Sequence, residues 1–185
     1  MFSSDFDSHL TRLEEVFKRL RDAHLKLKPS KCSLFATEVD YLGHRVSEKG
    51  VHTDPRKVEA IRNWPTPCHK TDVRSFLGMT SYYRRFIDCY TELARPLNNL
   101  TTKHAVYKWD QPCAEAFHKL KEKLINAPVL AYPDFRQPFI LDTDASNVAT
   151  GAVLSQNING EERVIAYYSK ALKRMLWISA RGQGA

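Results

Sequence analysis

The chain has 185 residues, of which 43% are hydrophobic and 11% aromatic. This apolar content suits a folded core, in one large domain or in roughly two or three small units, and it excludes a wholly disordered chain. The formal net charge of +7 at pH 7 favours an anionic partner, such as nucleic acid or a membrane surface, although an ordinary solvated surface is compatible with it too.

The four cysteines lie far apart in the chain and form no Cys-x-x-Cys pair, so we interpret them as reduced, packed thiols. The first residues turn polar and acidic at once, which argues against a secretory signal peptide. No apolar run is long enough to span a bilayer. These features predict a reducing compartment, cytoplasmic or nuclear, and no secretion.

An amphipathic helix is predicted first. Ser4 or Asp5 can cap its first turn, and Lys28 ends it, because a residue before proline avoids the helical conformation. Its apolar positions recur at steps of four and three and form one stripe: Phe6, Leu10, Leu13, Phe17, Leu20 and His24.

A β-hairpin is predicted next. Residues 32–35 and 39–46 are rich in aromatic and β-branched residues and are expected to form its strands, with Gly43 interrupting the second. Residues 48–50 form the turn that closes the hairpin.

Three helices follow, identified by their start and stop signals. The first begins at Asp54 with proline at the first helical position. Thr71 caps the second, which is expected to reach Asp88, and Asp110 caps the third. A short helix near residues 93–100 connects the last two. The inward positions are Val58, Ile61, Trp64, Val73, Phe76, Leu77, Thr80, Tyr83, Ile87, Ala116, Phe117, Leu120 and Leu124.

The pattern changes after the proline-rich residues 128–138, which we interpret as a boundary. Residues 139–141, 149–156 and 163–168 are predicted strands, separated by a polar run at 142–147 and a turn at 157–160. Strands alternating with short turns predict an antiparallel meander.

One side of the second helix carries residues that suit nucleic acid. Arg74, Gly78, Ser81 and Arg85 form a line, with Tyr82 beside it. Glycine inside a helix costs about 1 kcal/mol relative to alanine. We therefore expect a neighbour that approaches the helix so closely that a side chain would not fit. That neighbour is either a sugar-phosphate backbone, with arginines on phosphates and the tyrosine on a sugar or base edge, or a tightly packed second helix.

Asp142 and Asp144 follow a strand and share one face of it by the two-residue period. A carboxylate at a strand end can hold a divalent cation, and a two-metal site that cleaves phosphodiesters needs about four such groups. Acids that accept turn amides are the alternative interpretation.

The order and spacing of several motifs resemble the Pol proteins of gypsy-like LTR retrotransposons. Three recognisable motifs are Tyr41-Leu42-Gly43-His44, Ser81-Tyr82-Tyr83-Arg84-Arg85-Phe86-Ile87 and Thr143-Asp144-Ala145-Ser146. The matching stretches are residues 25–32, 39–47, 57–65, 73–87, 127–130, 143–146 and 151–156, and they cover the chain from about Phe2 to Leu172.

This resemblance implies an α+β fold, with the helical thumb of a reverse transcriptase between a partial palm and a truncated ribonuclease H-like antiparallel meander. Residues 1–53 would be the C-terminal part of the palm, a helix plus the primer-grip β-hairpin. Residues 54–127 would be the thumb helices, and residues 128–172 the N-terminal part of the ribonuclease H-like domain. Residues 173–185 do not match the family and are interpreted as an unrelated tail.

The resemblance also implies partners and site residues. Asp144 matches the first metal-binding catalytic carboxylate of the ribonuclease H site, which uses Mg²⁺ in the intact family enzyme. The rest of the Pol polyprotein is an expected partner, and a membrane is not. A template–primer duplex, RNA–DNA or DNA, would be contacted by Tyr41, Gly43, His44, Arg74, Gly78, Ser81, Tyr82 and Arg85.

The sequence also departs from the family pattern. In the family, the polymerase motif Tyr-x-Asp-Asp lies just before the residue where this chain begins, and further ribonuclease H acids would follow Leu172. We therefore expect the polypeptide alone to be catalytically inactive, with Asp144 vestigial, no tightly bound Mg²⁺ and an exposed apolar stripe on its first helix. Two functions stay open: a reverse transcriptase/ribonuclease H fragment, or a module that binds nucleic acid or protein without an enzymatic role.

Overall fold

The computed structural model describes Ser3 and residues 5–172, so the predicted tail, residues 173–185, lies outside the described residues. The chain divides into two compact units, Met1–Ala36 and Thr37–Ala185. Helices and antiparallel sheets occupy separate stretches of the described chain, which confirms the predicted α+β class.

The first unit is built on helix α1 (Phe6–Asp22). As predicted, Asp5 caps it: the Asp5 carboxylate accepts the backbone N–H of Ser8 at 2.8 Å. The predicted end at Lys28 is wrong. The helix stops six residues earlier because His24 adopts a left-handed conformation, with φ of 56°.

A Schellman motif explains that early stop. The N–H of Leu25 donates to the carbonyl of Leu20 at 2.8 Å, and the N–H of His24 donates to the carbonyl of Arg21 at 3.0 Å. These two bonds satisfy carbonyls that the helix end would otherwise leave without partners, so no proline is needed to end the helix.

The apolar stripe of α1 is largely exposed, as the sequence led us to expect. Phe6, Leu10 and Phe17 are 63%, 44% and 40% exposed, whereas Leu13 is buried. Phe6 stacks on Phe35, with ring centroids 5.3 Å apart. This helix therefore carries more apolar surface than its own unit covers.

The second unit begins with a three-stranded antiparallel sheet, β1 (Glu38–Tyr41), β2 (His44–Ser47) and β3 (Gly50–Thr53), in that order. The predicted strand at residues 32–35 is wrong, since that stretch is irregular backbone that follows a 3-10 turn (Pro29–Lys31). The predicted strand at 39–46 is split by a turn at Leu42 and Gly43, and the turn before Gly50 is confirmed.

Four helices follow within residues 54–127: α2 (Pro55–Arg62), α3 (Lys70–Tyr82), α4 (Tyr90–Leu100) and α5 (Gln111–Ile125). Asp54 caps α2 and Asp110 caps α5, as predicted. The predicted connecting helix is present as α4, which begins three residues before the predicted start and ends at Leu100, as predicted. No helix in the described part of the chain is long and apolar enough to cross a bilayer.

The predicted N-cap of α3 is wrong. The helix is capped at His69 rather than Thr71. The carboxylate of Asp72 reaches back and accepts the backbone N–H groups of Cys68 at 2.9 Å and of His69 at 3.0 Å. Asp72 thus satisfies two amides at the helix start.

The predicted C-terminal end of α3 is wrong as well. The helix ends at Tyr82 rather than Asp88, and a 3-10 turn (Arg84–Phe86) follows it. Tyr83 and Ile87 are nevertheless buried, as predicted, because the tighter turn keeps both side chains directed into the core.

The helices share one hydrophobic core. Its members come from α2 to α5, from the 3-10 turn after α3 and the residues beside it, and from the stretch after α5: Ile61, Val73, Phe76, Leu77, Tyr83, Phe86, Ile87, Tyr90, Ala94, Leu97, Leu100, Cys113, Ala116, Phe117, Leu120, Leu124 and Leu130. At roughly 1.5 to 3 kcal/mol for each large side chain, this burial dominates the stability of the second unit.

The predicted antiparallel meander is confirmed as β4 (Ile140–Ala145), β5 (Ala149–Ile158) and β6 (Glu161–Ala171). The first of these strands continues into the predicted polar run, residues 142–147, and ends at Ala145. Asn159 and Gly160 supply the two positive φ angles, 55° and 85°, of the turn between β5 and β6.

A polar joint links the helices to this second sheet. Ser169 of β6 is 3% exposed, and its hydroxyl accepts the backbone N–H and the hydroxyl of Thr91, both at 3.0 Å. The guanidinium of Arg84 donates to the carbonyl of Ser169. The N–H of Ala131, in the stretch after α5, also donates to the carbonyl of Val164 at 2.8 Å, so the sheet is bonded to that stretch as well as to the helices.

Candidate nucleic-acid interface

The turn between β1 and β2, hereafter the 41–44 turn, carries three of the predicted contact residues. Tyr41 and His44 pair across it, and φ is 46° at Leu42 and 69° at Gly43. Two positive φ angles make a two-residue hairpin turn whose twist matches that of the strands. Tyr41 and Leu42 are 63% and 69% exposed, so the turn presents apolar surface to solvent.

Glycine is favoured at position 43 for two reasons. Its φ lies in the left-handed region, which costs residues with a Cβ about 1–2 kcal/mol. A Cβ on Gly43 would also lie 3.3 Å from Cε1 of Tyr82, closer than a relaxed packing contact. Gly43 therefore lets the ring of Tyr82, at the end of α3, lie against the turn.

His44 is enclosed by aromatic rings. Its imidazole stacks on Tyr82, with centroids 5.3 Å apart and planes at 14°, and meets Tyr83 edge-on at 5.5 Å. Its Nδ1 is buried, and no described residue hydrogen-bonds it. Burial, and secondarily the positive charge of Arg85, lower the pKa of His44, so the neutral ring is favoured.

The other predicted contacts lie on α3 and the 3-10 turn after it, and we call them the basic ridge: Arg74, Gly78, Ser81, Tyr82 and Arg85. All five are exposed. At about 1.5 Å of rise per residue, the helical part from Arg74 to Tyr82 is about 12 Å long.

The space beside Gly78 decides between the two interpretations of this glycine. A Cβ built on Gly78 would have no described atom within 4 Å. Close packing of a second helix is therefore the wrong explanation within the described residues. The backbone of α3 is open to an external partner at this point.

Arg74 has a structural role that the sequence did not indicate. Its guanidinium donates to the carbonyl of Thr101 at 2.9 Å, and the ammonium of Lys70 donates to the carbonyl of Thr102 at 3.2 Å. Both cations thus bind carbonyls at the C-terminal end of α4, where positive charge is favourable. Arg74 is held in place at one end of the ridge.

Sequence reasoning interpreted Tyr83 only as a core residue and missed its polar contact. Its hydroxyl donates to the carbonyl of Gly43 at 2.6 Å, and the hydroxyl of Tyr82 donates to the carbonyl of Leu42. The sequence signal that could have indicated this contact is the pair of adjacent tyrosines, Tyr82 and Tyr83. The structure thus brings Gly43, His44 and Tyr82 together, with Arg85 near enough to affect the pKa of His44.

Asp144, the predicted metal ligand, lies exposed on β4, and its carboxylate accepts the backbone N–H of Ala145 at 2.8 Å. Burial above all, and then neighbouring acids that include Asp144, raise the pKa of Cys89 to about 11, so that thiol stays protonated and is a poor ligand. Across the described residues, no group of three His, Cys, Asp or Glu side chains could hold a metal ion. These residues alone do not fit a two-metal site.

Comparisons with known proteins show what the chain is similar to. Residues 109–176 match the family model described as an RNase H-like domain found in reverse transcriptase. The chain is 42% identical, over 89% of its length, to the retrovirus-related Pol polyprotein from transposon 412 of Drosophila melanogaster. It is 40% identical, over 94% of its length, to the Pol polyprotein from transposon opus of the same organism.

A solved structure has the same fold: the foamy viral protease-reverse transcriptase dRH in complex with ds DNA, at 26% identity and a TM-score of 0.80. That match covers 94% of this chain and 31% of the viral one. The chain spans only 13% and 18% of the lengths of the 412 and opus polyproteins. The chain belongs to the retrotransposon Pol polyproteins, of which it is a segment that includes an RNase H-like domain found in reverse transcriptase.

Proposed function

We propose that this segment binds the template–primer duplex, RNA–DNA or DNA, through the basic ridge and the 41–44 turn. The observation that carries the proposal is the open space over Gly78, on the same side of the helix as Arg74. A sugar-phosphate backbone can approach the helix closely there while guanidinium groups neutralise phosphates. The complex of the similar foamy viral protein with ds DNA supports this assignment.

In the intact polyprotein the segment would serve an RNA-directed DNA polymerase and a ribonuclease for RNA–DNA hybrids. Asp144 would contribute one carboxylate for Mg²⁺, and the other acids would come from the rest of the polyprotein. The 185-residue polypeptide by itself then binds a duplex but neither extends a primer nor cleaves RNA, because one carboxylate cannot hold two metal ions.

Binding is tested by the fluorescence anisotropy of labelled template–primer duplexes, DNA–DNA and RNA–DNA, titrated with the chain at several salt concentrations. We expect the logarithm of the association constant to fall linearly with the logarithm of salt concentration, as counterions are released. Lys119→Ala is the matched control, because it removes a positive charge from the exposed side of α5 and should leave binding nearly unchanged. If the chain shows no measurable binding to either duplex at low salt, the proposal is contradicted.

Catalytic inactivity is tested separately, by incubating an RNA–DNA hybrid with the chain and Mg²⁺. We expect no cleavage above a protein-free control. Cleavage by the wild-type chain that disappears in Asp144→Ala would overturn this part of the proposal and leave the binding result standing.

A further inference from the structure

We propose that Tyr82 and Tyr83 are positioning residues: their hydroxyl groups clamp the 41–44 turn to the end of α3, so that the turn and the basic ridge form one rigid surface. Assigning that surface to a duplex rests on the proposed function. The clamp itself rests on contacts within the second unit and can be tested without a duplex.

The first argument is the pairing of donors with acceptors. Ladder pairing of β1 with β2 ends at Tyr41 and His44, so the carbonyls of Leu42 and Gly43 lie outside the ladder. Tyr82 donates to the first carbonyl, and Tyr83 donates to the second at 2.6 Å. Two adjacent tyrosines thus satisfy two adjacent turn carbonyls, and this fixes the turn in both position and orientation.

The second argument is the backbone conformation of the turn. Leu42 is a bulky residue with φ of 46°, a conformation that persists where surrounding structure holds it. Its side chain is 69% exposed, so side-chain burial contributes little to holding it. The bond from Tyr82 to its carbonyl supplies a restraint at this residue.

The third argument is that the two tyrosines differ in burial and in their contacts. Tyr83 is 1% exposed, and burial raises its pKa to about 12, so its hydroxyl remains a donor at neutral pH. Tyr82 is 51% exposed and stacks on His44, so its ring belongs to the clamp and to the exposed ridge at once. Movement of the turn therefore requires the ring of Tyr82 to move too.

The clamp is tested by amide hydrogen exchange in the full chain, with Tyr82→Phe, Tyr83→Phe and the double variant. Loss of one hydrogen bond should speed exchange in the 41–44 turn by roughly two- to tenfold, and the double variant should exceed either single one, while amides of α5 stay unchanged. The control is Tyr107→Phe, which removes an equivalent 2.6 Å bond, from the Tyr107 hydroxyl to the carbonyl of Pro67.

Two results would overturn the clamp: turn exchange that is unchanged in the double variant, or turn exchange that Tyr107→Phe accelerates equally. If the double variant does not fold, Tyr82→Phe decides alone, because Tyr82 is half-exposed and the change removes only its hydroxyl. Unchanged turn exchange in that variant would then reject the proposal.

A second measurement repeats the exchange experiment with a template–primer duplex. In the wild-type chain the duplex should slow exchange in the turn and in α3 together, whereas in the double variant it should slow α3 and protect the turn several-fold less. Equal protection of the turn in both chains would reject the positioning role. A duplex that protects neither region in the wild-type chain would reject the proposed function, with the clamp still judged by the first measurement.

Discussion

The substitution Gly78→Ala should move folding stability and duplex binding in opposite directions. Gly78 is exposed within α3, and a Cβ there meets no described atom within 4 Å, so the added methyl group has no steric cost in the free chain. Alanine is favoured over glycine in an exposed helix interior by about 1 kcal/mol. For a unit of this size we expect the melting temperature to rise by about 2–4 °C.

Duplex affinity should fall in the same variant, because a backbone that approaches α3 over Gly78 meets the new methyl group. We expect about a tenfold loss, which corresponds to about 1.4 kcal/mol of binding free energy, and a larger loss for Gly78→Leu. Thermal denaturation and duplex anisotropy measured on the same samples separate the two effects. Wild-type affinity in a variant with a raised melting temperature would refute close approach of the duplex at Gly78.

Three further variants test the charge of Arg85, the half-buried ring of His44 and the polar joint at Ser169. Arg85→Ala should lessen the salt dependence of duplex binding by about 0.9 in log–log slope if Arg85 neutralises one phosphate, and Lys119→Ala should not; anisotropy across salt measures both. The pKa of His44 is lowered in the folded state. The neutral imidazole therefore contributes fully to folding stability above its unfolded-state pKa of about 6.5, and this contribution is lost as pH falls through the folded-state pKa. His44→Phe should abolish this pH-dependent part of the free energy of unfolding, measured by denaturant unfolding between about pH 7.5 and 5.5. Ser169→Ala should destabilise the chain by about 1–3 kcal/mol in the same unfolding assay, because the N–H of Thr91 loses its acceptor; a loss near zero would mean that water replaces the hydroxyl.

Helix starts were predictable because they depend on a few consecutive residues. Asp5, Asp54 and Asp110 each cap the helix that the sequence assigned to them, since a short acidic side chain reaches the free amides of the next turn. The start of α3 was missed for a related reason. The capping acid there is Asp72, which lies inside the helix and reaches backward, so the threonine ahead of it was a misleading signal.

Helix ends were less predictable, because several devices can end a helix and only some leave a mark in the sequence. The proline after Lys28 marks the last residue at which α1 could end, but the left-handed conformation of His24 ends the helix earlier. Tyr82 ends α3 although the apolar spacing continues to Ile87, since a 3-10 turn keeps the later side chains buried. Apolar spacing therefore reports which side chains are buried and leaves the exact type of turn undetermined.

The candidate site combines local and distant contacts, and only the local ones could be read from one sequence. The line from Arg74 through Gly78 to Ser81 follows from helical spacing. The contact of Tyr82 with Gly43 joins residues about 40 positions apart, and no local pattern encodes it. The open space over Gly78 likewise depends on where every neighbouring element lies.

Duplex binding and metal-dependent cleavage place different demands on a segment of a polyprotein, and the basic ridge and Asp144 illustrate the difference. Phosphate contacts add roughly independently to duplex affinity, so a surface that contains only part of them still binds, more weakly. Two-metal chemistry is not divisible in this way, because the ions require about four carboxylates at once, and within the described residues no group of three His, Cys, Asp or Glu side chains could hold a metal ion. Under the proposed function, substitutions along the ridge should therefore reduce duplex binding in graded steps, whereas this polypeptide should show no RNA cleavage that could be reduced stepwise.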